Sequence, residues 1–280
     1  MIRLLRANMG RLKKETAFWA AIIFMVFYAL CVCLMAKYSM DLNDNSLPLD
    51  GLFLYGYGLT GLIAVPGLVM AAVCSLFVGT EYSDGTIRNK LIVGHSRAGI
   101  YLSNFITCAA VGIALNLSYA LVVCAVGIPL CGWFTASAGT ILSLIADGVL
   151  MLISYAAIFT MAGMLMQNKT LASIFCILGV VVSMFLSFYL GTCIAQPEMI
   201  DTLQIIDGEQ VMKSMPNPRY LSQTVRNIYQ FIIDFLPSGQ SVQISGQTAP
   251  HLGLMAMYSL VIIICSNIIG IFVFRKKDIQ

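Results

Sequence analysis

Charge is what this sequence has least of. Asp, Glu, Lys and Arg fill 10% of 280 positions against 59% hydrophobic residues, and mean hydropathy is +0.87. A soluble domain covers its surface with roughly a quarter charged residues, so most of this chain's surface must face lipid. Catalytic motifs are missing too. There is no H-E-x-x-H for zinc, no C-x-x-C, and Cys31 and Cys33 stand too close for the usual zinc spacing. G-x-x-x-x-G-K-[ST] is absent, which excludes nucleotide binding in the P-loop manner. Gly94-His-Ser-Arg-Ala-Gly99 falls one glycine short of G-x-S-x-G. The two histidines, His95 and His251, fall at predicted membrane edges on opposite sides. No internal repeat is visible, which weakens an inverted-repeat transporter reading.

What is present is long apolar runs. A helix needs about 20 apolar residues to cross a bilayer core. Six runs qualify: 18–36, 52–78, 100–128, 140–166, 171–195 and 251–274. They lack the alternation of a lipid-facing barrel strand, so helices are predicted. The first run is too long for a signal-peptide core and no A-x-A site follows it, so it reads as an uncleaved span. Cys74, Cys108, Cys124, Cys176 and Cys265 fall inside spans, where a thiol acts as a small hydrophobe. No metal and no essential disulfide are expected, although Cys131 and Cys193 are placed to pair near the outer face.

Basic residues set the orientation. With the N-terminus inside, the inner side holds Arg3, Arg6, Arg11, Lys13, Lys14, Arg88, Lys90, Arg97, Lys169, Arg275, Lys276 and Lys277. The outer side keeps only Lys37, Lys213, Arg219 and Arg226, beside acids such as Asp41, Asp44, Asp50, Glu198, Asp201, Asp207, Glu209 and Asp234. The net charge of +3 therefore describes a cytoplasmic rim rather than a nucleic-acid surface.

Smaller features fill in the chain. Ile2, Leu5, Met9 and Leu12 recur at helical spacing among basic residues, as in a helix lying in the headgroup layer or a plain basic anchor. The second run carries Gly56, Gly58, Gly61, Pro66 and Gly67, read as tight packing or as a flexing gate. Gln167-Asn-Lys-Thr170 is a hairpin turn on the inner side. The outer loop 196–250 starts polar, then Leu221, Val225, Ile228, Ile232 and Phe235 share one helical face until Pro237-Ser-Gly stops it. That helix is too polar to span, so it lies on the outer face or dips inward. Asp147 interrupts the fourth run: either an intramembrane polar site with Asn104 and Asn116, or a residue reaching the outer edge.

The inner loop 79–97 is dense in charge between two apolar runs. Ser83 or Asp84 suits an N-cap, Ile87 and Leu91 an apolar side, and Gly94 a C-terminal stop. Glu81-Tyr-Ser-Asp-Gly-Thr-Ile-Arg-Asn-Lys-Leu91, followed by Gly94-His-Ser-Arg97, resembles the inner loop of ABC-2-type bacterial transporter permeases. Asp234-Phe-Leu-Pro-Ser-Gly-Gln240 and the ending Phe274-Arg-Lys-Lys-Asp278 are similar to that family as well. The resemblance implies an all-α membrane fold over 1–280 in a single transmembrane domain, with an N-terminal elbow helix, six spans, a coupling helix within 79–97 and an outer amphipathic helix. It implies a permease subunit of an ATP-driven exporter in the bacterial cytoplasmic membrane, moving a peptide, lipid or drug. It also implies homo- or heterodimerisation and a separate ATPase subunit that carries ATP and Mg. Glu81, Asp84, Ile87, Arg88, Leu91 and Arg97 are then the expected coupling-interface residues, by contact or by positioning. A self-contained channel or secondary transporter, or a membrane immunity or anchor protein, is the alternative.

Overall fold

The computed structural model describes residues 1–43, 48–59, 62–166, 168–206 and 209–277. Asp44, Gly61, Gln167, Asp207 and Asp278, singled out above, lie outside the described residues.

The chain opens with α1 (Ile2–Leu12) and α2 (Thr16–Asn43), followed by the short α3 (Leu49–Leu54). Next come α4 (Val65–Ser83), α5 (Thr86–Ile92) and α6 (Arg97–Val122). A π-helical turn, Val123–Gly127, extends α6 into α7 (Ile128–Cys131). α8 (Ala138–Leu165) and α9 (Lys169–Ile194) form an antiparallel pair across a three-residue link. After a hairpin of β1 (Met199–Ile206) and β2 (Glu209–Pro216), α10 (Gln223–Phe235), α11 (Pro237–Ser245) and α12 (Leu252–Lys276) complete the chain.

Among the described residues, six helices are long and apolar enough to cross a membrane, starting at Thr16, Val65, Arg97, Ala138, Lys169 and Leu252. α8 packs against α12, α4 and α6. The ends of α1, α4, α8 and α12 and the start of α6 meet at one end of the bundle, joined by contacts described below. We call this the basic end.

The reading of the second run needs correction. The second run is not one helix: α3 and an irregular stretch precede α4. Pro66 stands in the first turn of α4, where its missing N–H costs nothing; it starts this helix rather than bending it. The irregular backbone is held by side chains instead. Asn116 donates to Gly56 O at 3.2 Å, Ser241 donates to Tyr57 O, and Tyr57 packs where a Cβ on Gly148 would lie 2.3 Å from its ring.

In the polar start of the outer loop, β1 and β2 pair antiparallel from Met199↔Pro216 to Ile206↔Glu209. The amphipathic helix α10 ends at Phe235, just before the expected Pro237-Ser-Gly stop, and Pro237 then opens α11 as an N1 proline. The α10–α11 pair dips inward. Leu236 and Pro237 at its tip share a cavity of about 180 Å³ with Tyr155 and Phe159 of α8 and Cys176 and Val180 of α9. All nine cysteines are free thiols, Cys131 and Cys193 included.

Candidate functional site

Glu81 stands in the last turn of α4, and its side chain is fully buried. An isolated carboxylate there would be costly, so its partners define the site. Oε1 receives Arg11 of α1 at 2.9 Å and the ammonium of Lys90 of α5. Oε2 accepts the Asn104 amide of α6 at 2.7 Å. The ring then closes on itself. Asn8 of α1 donates to Asn104 Oδ1 at 2.6 Å, and Lys90 donates to Asn8 Oδ1 at 2.9 Å. Arg11 also donates to Phe77 O at 2.8 Å, with its guanidinium 3.8 Å above the Phe77 ring. One carboxylate thus joins α1, α4, α5 and α6.

Local sequence makes this possible. Gly85 takes φ +65, a left-handed turn that glycine tolerates, so the chain reverses from α4 into α5. Gly85 is also the N-cap of α5, which has no side-chain cap; Ser83 and Asp84 do not serve. Thr86 instead donates to Glu81 O at 3.0 Å, satisfying a carbonyl at the end of α4. Gly94, at φ +89, closes the far side of the short helix. Ser96 then caps α6, its Oγ accepting from Gly99 N at 3.2 Å.

In this geometry the six loop residues divide. Glu81 and Ile87 are buried within the chain, Ile87 at 1% exposure, and Leu91 packs half-buried against the core. The expected outward apolar side, Ile87 and Leu91, therefore faces inward. Asp84 and Arg88 are exposed, together with Ile92 at 76% and Val93 at 75%. Arg97 turns back on the protein, donating to Phe274 O at 3.0 Å and Arg275 O at 2.9 Å.

The three intramembrane candidates are not one site. Asn104 belongs to the Glu81 ring, whereas Asn116 sits about 18 Å further along α6 by helical rise and is spent on Gly56. Asp147 lies about 14 Å from the start of α8. It is buried at 6% exposure, and its Oδ2 has no hydrogen-bond partner among the described residues.

Asn8, Arg11 and Lys90 escaped the sequence reading. Periodicity gave α1 an apolar face of Ile2, Leu5, Met9 and Leu12, whereas the positions buried against the protein are Leu4, Asn8 and Leu12, with Ile2 79% exposed. The available signal was Asn8 at i+4 between Leu4 and Leu12, a polar residue inside a buried stripe.

Another buried carboxylate lies toward the opposite end. Asp234, 2% exposed, accepts Gln230 at 2.7 Å and Gln243 at 2.9 Å on Oδ1, with His251 Nδ1 3.2 Å from Oδ2. Gln240 donates to Asp234 O at 2.8 Å and Met255 O at 3.1 Å, and accepts from Ser259 at 2.7 Å. The wording 234–240 thus folds α10, α11 and the start of α12 into one knot.

Apolar helices of crossing length with an ionic junction at their basic end describe a polytopic membrane protein. A family model described as ABC-2 family transporter protein matches residues 4–197, from α1 to just past α9, and the chain belongs to that family. Such permeases associate in general with an ABC ATPase subunit. No curated protein matches this chain.

Proposed function

We propose that this chain is the membrane subunit of an ATP-driven exporter, with its basic end in the cytoplasm and α5 as the element a separate ATPase subunit grips. The observation that carries this reading is the two-sidedness of α5. Lys90 roots it on the buried Glu81, and Ile87 packs into the core. Asp84, Arg88, Asn89, Ile92 and Val93 face away from the chain. An exposed apolar pair beside charged groups suits a partner's groove. A lever must also be held firmly at its root, and the Glu81 ring does that.

In this reading Arg88, Asp84, Ile92 and Val93 touch the ATPase, while Glu81, Lys90 and Arg11 position the helix. ATP binding closes the ATPase pair, and α5 passes the motion to α4, α6 and α1 as a small rigid-body shift. Two permeases, identical or related, flank the path. Their apolar walls favour an amphiphilic substrate such as a peptide, lipid or drug. The channel reading has one observation behind it, the unpartnered Asp147; its companions Asn104 and Asn116 are engaged elsewhere.

Co-expression with candidate ABC ATPase subunits from the same genome, followed by co-purification, tests the proposal. Capture is expected, and its absence overturns the reading. Arg88→Glu is expected to abolish stimulation of the ATPase while membrane insertion stays normal. Ion flux through the purified chain without ATP would favour a channel.

A further inference from the structure

The basic ending Phe274-Arg-Lys-Lys277 reads as three equivalent membrane anchors, but the three cations behave differently. Arg275 and Lys276 are exposed, and Lys276 lies 4.2 Å above the Phe272 ring on the surface of its own helix. Lys277 turns inward. Its Nζ donates to Leu165 O at 2.5 Å and Met164 O at 3.4 Å, carbonyls in the last turn of α8. Helix C-termini carry unpaired carbonyls and partial negative charge, so a cation there caps and neutralises at once.

Lys277 is itself held. Arg97 donates to Lys277 O at 2.5 Å, besides Phe274 O and Arg275 O, and so caps the last turn of α12. Tyr82, near the end of α4, donates to the same Met164 O at 2.6 Å, and the Lys277 ammonium lies 5.0 Å from its ring. Burial pushes the Lys277 pKa down, as expected of an ammonium drawn out of bulk water. Two helix ends are therefore closed by one chain of donors: Arg97 on α12, Lys277 and Tyr82 on α8.

We propose that Arg97 and Lys277 form a two-stage clamp through which the loop carrying α5 moves the ends of α6, α12 and α8 as one body, making Lys277 a positioning residue for coupling. This rests on the proposed function, and it adds a route that the Glu81 ring lacks. That ring joins α1, α4, α5 and α6 and touches α8 through the Asn104 amide at Met164 Sδ, 3.5 Å away, whereas Arg97 and Lys277 tie α6 to the backbone ends of α12 and α8. Without the clamp, a push on α5 would reach α8 and α12 through side-chain packing, without the backbone ties at their ends.

Two measurements on the full chain in lipid nanodiscs decide it. Hydrogen–deuterium exchange is followed over 160–166 and 270–277 in wild type, Lys277→Met and Lys277→Arg. Losing one charged cap corresponds to exchange faster by about tenfold, expected in both segments for Lys277→Met and rescued in Lys277→Arg. Unchanged exchange over 160–166 in Lys277→Met overturns the clamp.

The second measurement uses the complex with the co-purified ATPase. Lys277→Met is expected to bind the ATPase normally but to lower its permease-stimulated rate by about threefold or more, the scale of coupling lost through a relay residue. Faster exchange with an unchanged stimulated rate would make Lys277 a structural cap only and overturn its positioning role. If the wild-type chain captures no ATPase, the proposed function and the coupling role that rests on it both fail, and exchange alone still judges the clamp.

Discussion

Glu81 carries more of this molecule than its position in a charged loop suggests. Its carboxylate answers two cations and an amide from three different helices, so replacing it strands Arg11 and Lys90 against each other. Removing one member of a buried ion pair costs about 3–5 kcal/mol. Glu81→Gln is therefore expected to lower the thermal unfolding midpoint in detergent clearly, whereas Asp84→Asn, at an exposed site, leaves it within error. Equal midpoints would mean that the ring is not closed in the folded protein. The residue choice was legible in the sequence; the partners were not. Asn8 and Arg11 are 73 and 70 positions from Glu81, and a hydrophobic period assigns buried faces by apolar residues alone. Ile87 went astray for a related reason. An apolar residue in a charged loop suits an outer docking face or the chain's own core equally, and only packing separates the two.

Among elements, the segment before α4 shows why close approach matters more than helix propensity. Glycine inside a helix costs about 1 kcal/mol relative to alanine, so Gly→Ala stabilises where there is room. A methyl added at Gly179 of α9 would meet nothing within 4 Å, while one added at Gly148 of α8 would fall 2.3 Å from Tyr57. We expect Gly179→Ala to be neutral or slightly stabilising. Gly148→Ala should destabilise by about 1–3 kcal/mol through overpacking, read as a lower unfolding midpoint. The same shift in both would show that Tyr57 does not pack there. The glycines at 56, 58 and 67 and Pro66 were visible beforehand. That Pro66 begins a helix was not, because an N1 proline and a kinking proline read alike until the preceding backbone is known.

Across the whole molecule, the six crossings were readable because a bilayer imposes both length and apolarity on each span. The helix starts at Thr16, Ala138, Lys169 and Leu252 fall within two residues of the predicted runs. The β-hairpin and the inward dip of α10 and α11 were harder to read, since protein-lined positions obey neither rule. Orientation is testable at this scale. In a background freed of its nine cysteines, a cysteine at exposed Ser214 is expected to react with a membrane-impermeant maleimide in intact cells. One at exposed Asn89 should react only after lysis, and the reverse pattern would invert the topology.

The dip of α11 also dictates an order of assembly. Ser238, Gln240, Ser241, Gln243 and Ser245 are all buried, and bare hydrocarbon tolerates no such helix. α11 can settle only into a cradle that already exists, built by α8, α9 and the backbone at Tyr57. Gln240 finds Met255 and Ser259 only once α12 has arrived. During synthesis, then, the earlier spans partition into the bilayer first, α10 and α11 wait in water, and the last span seals them in. A nascent chain halted before residue 252 should leave this stretch open to protease, which makes the final crossing the maturation step for everything between β2 and itself.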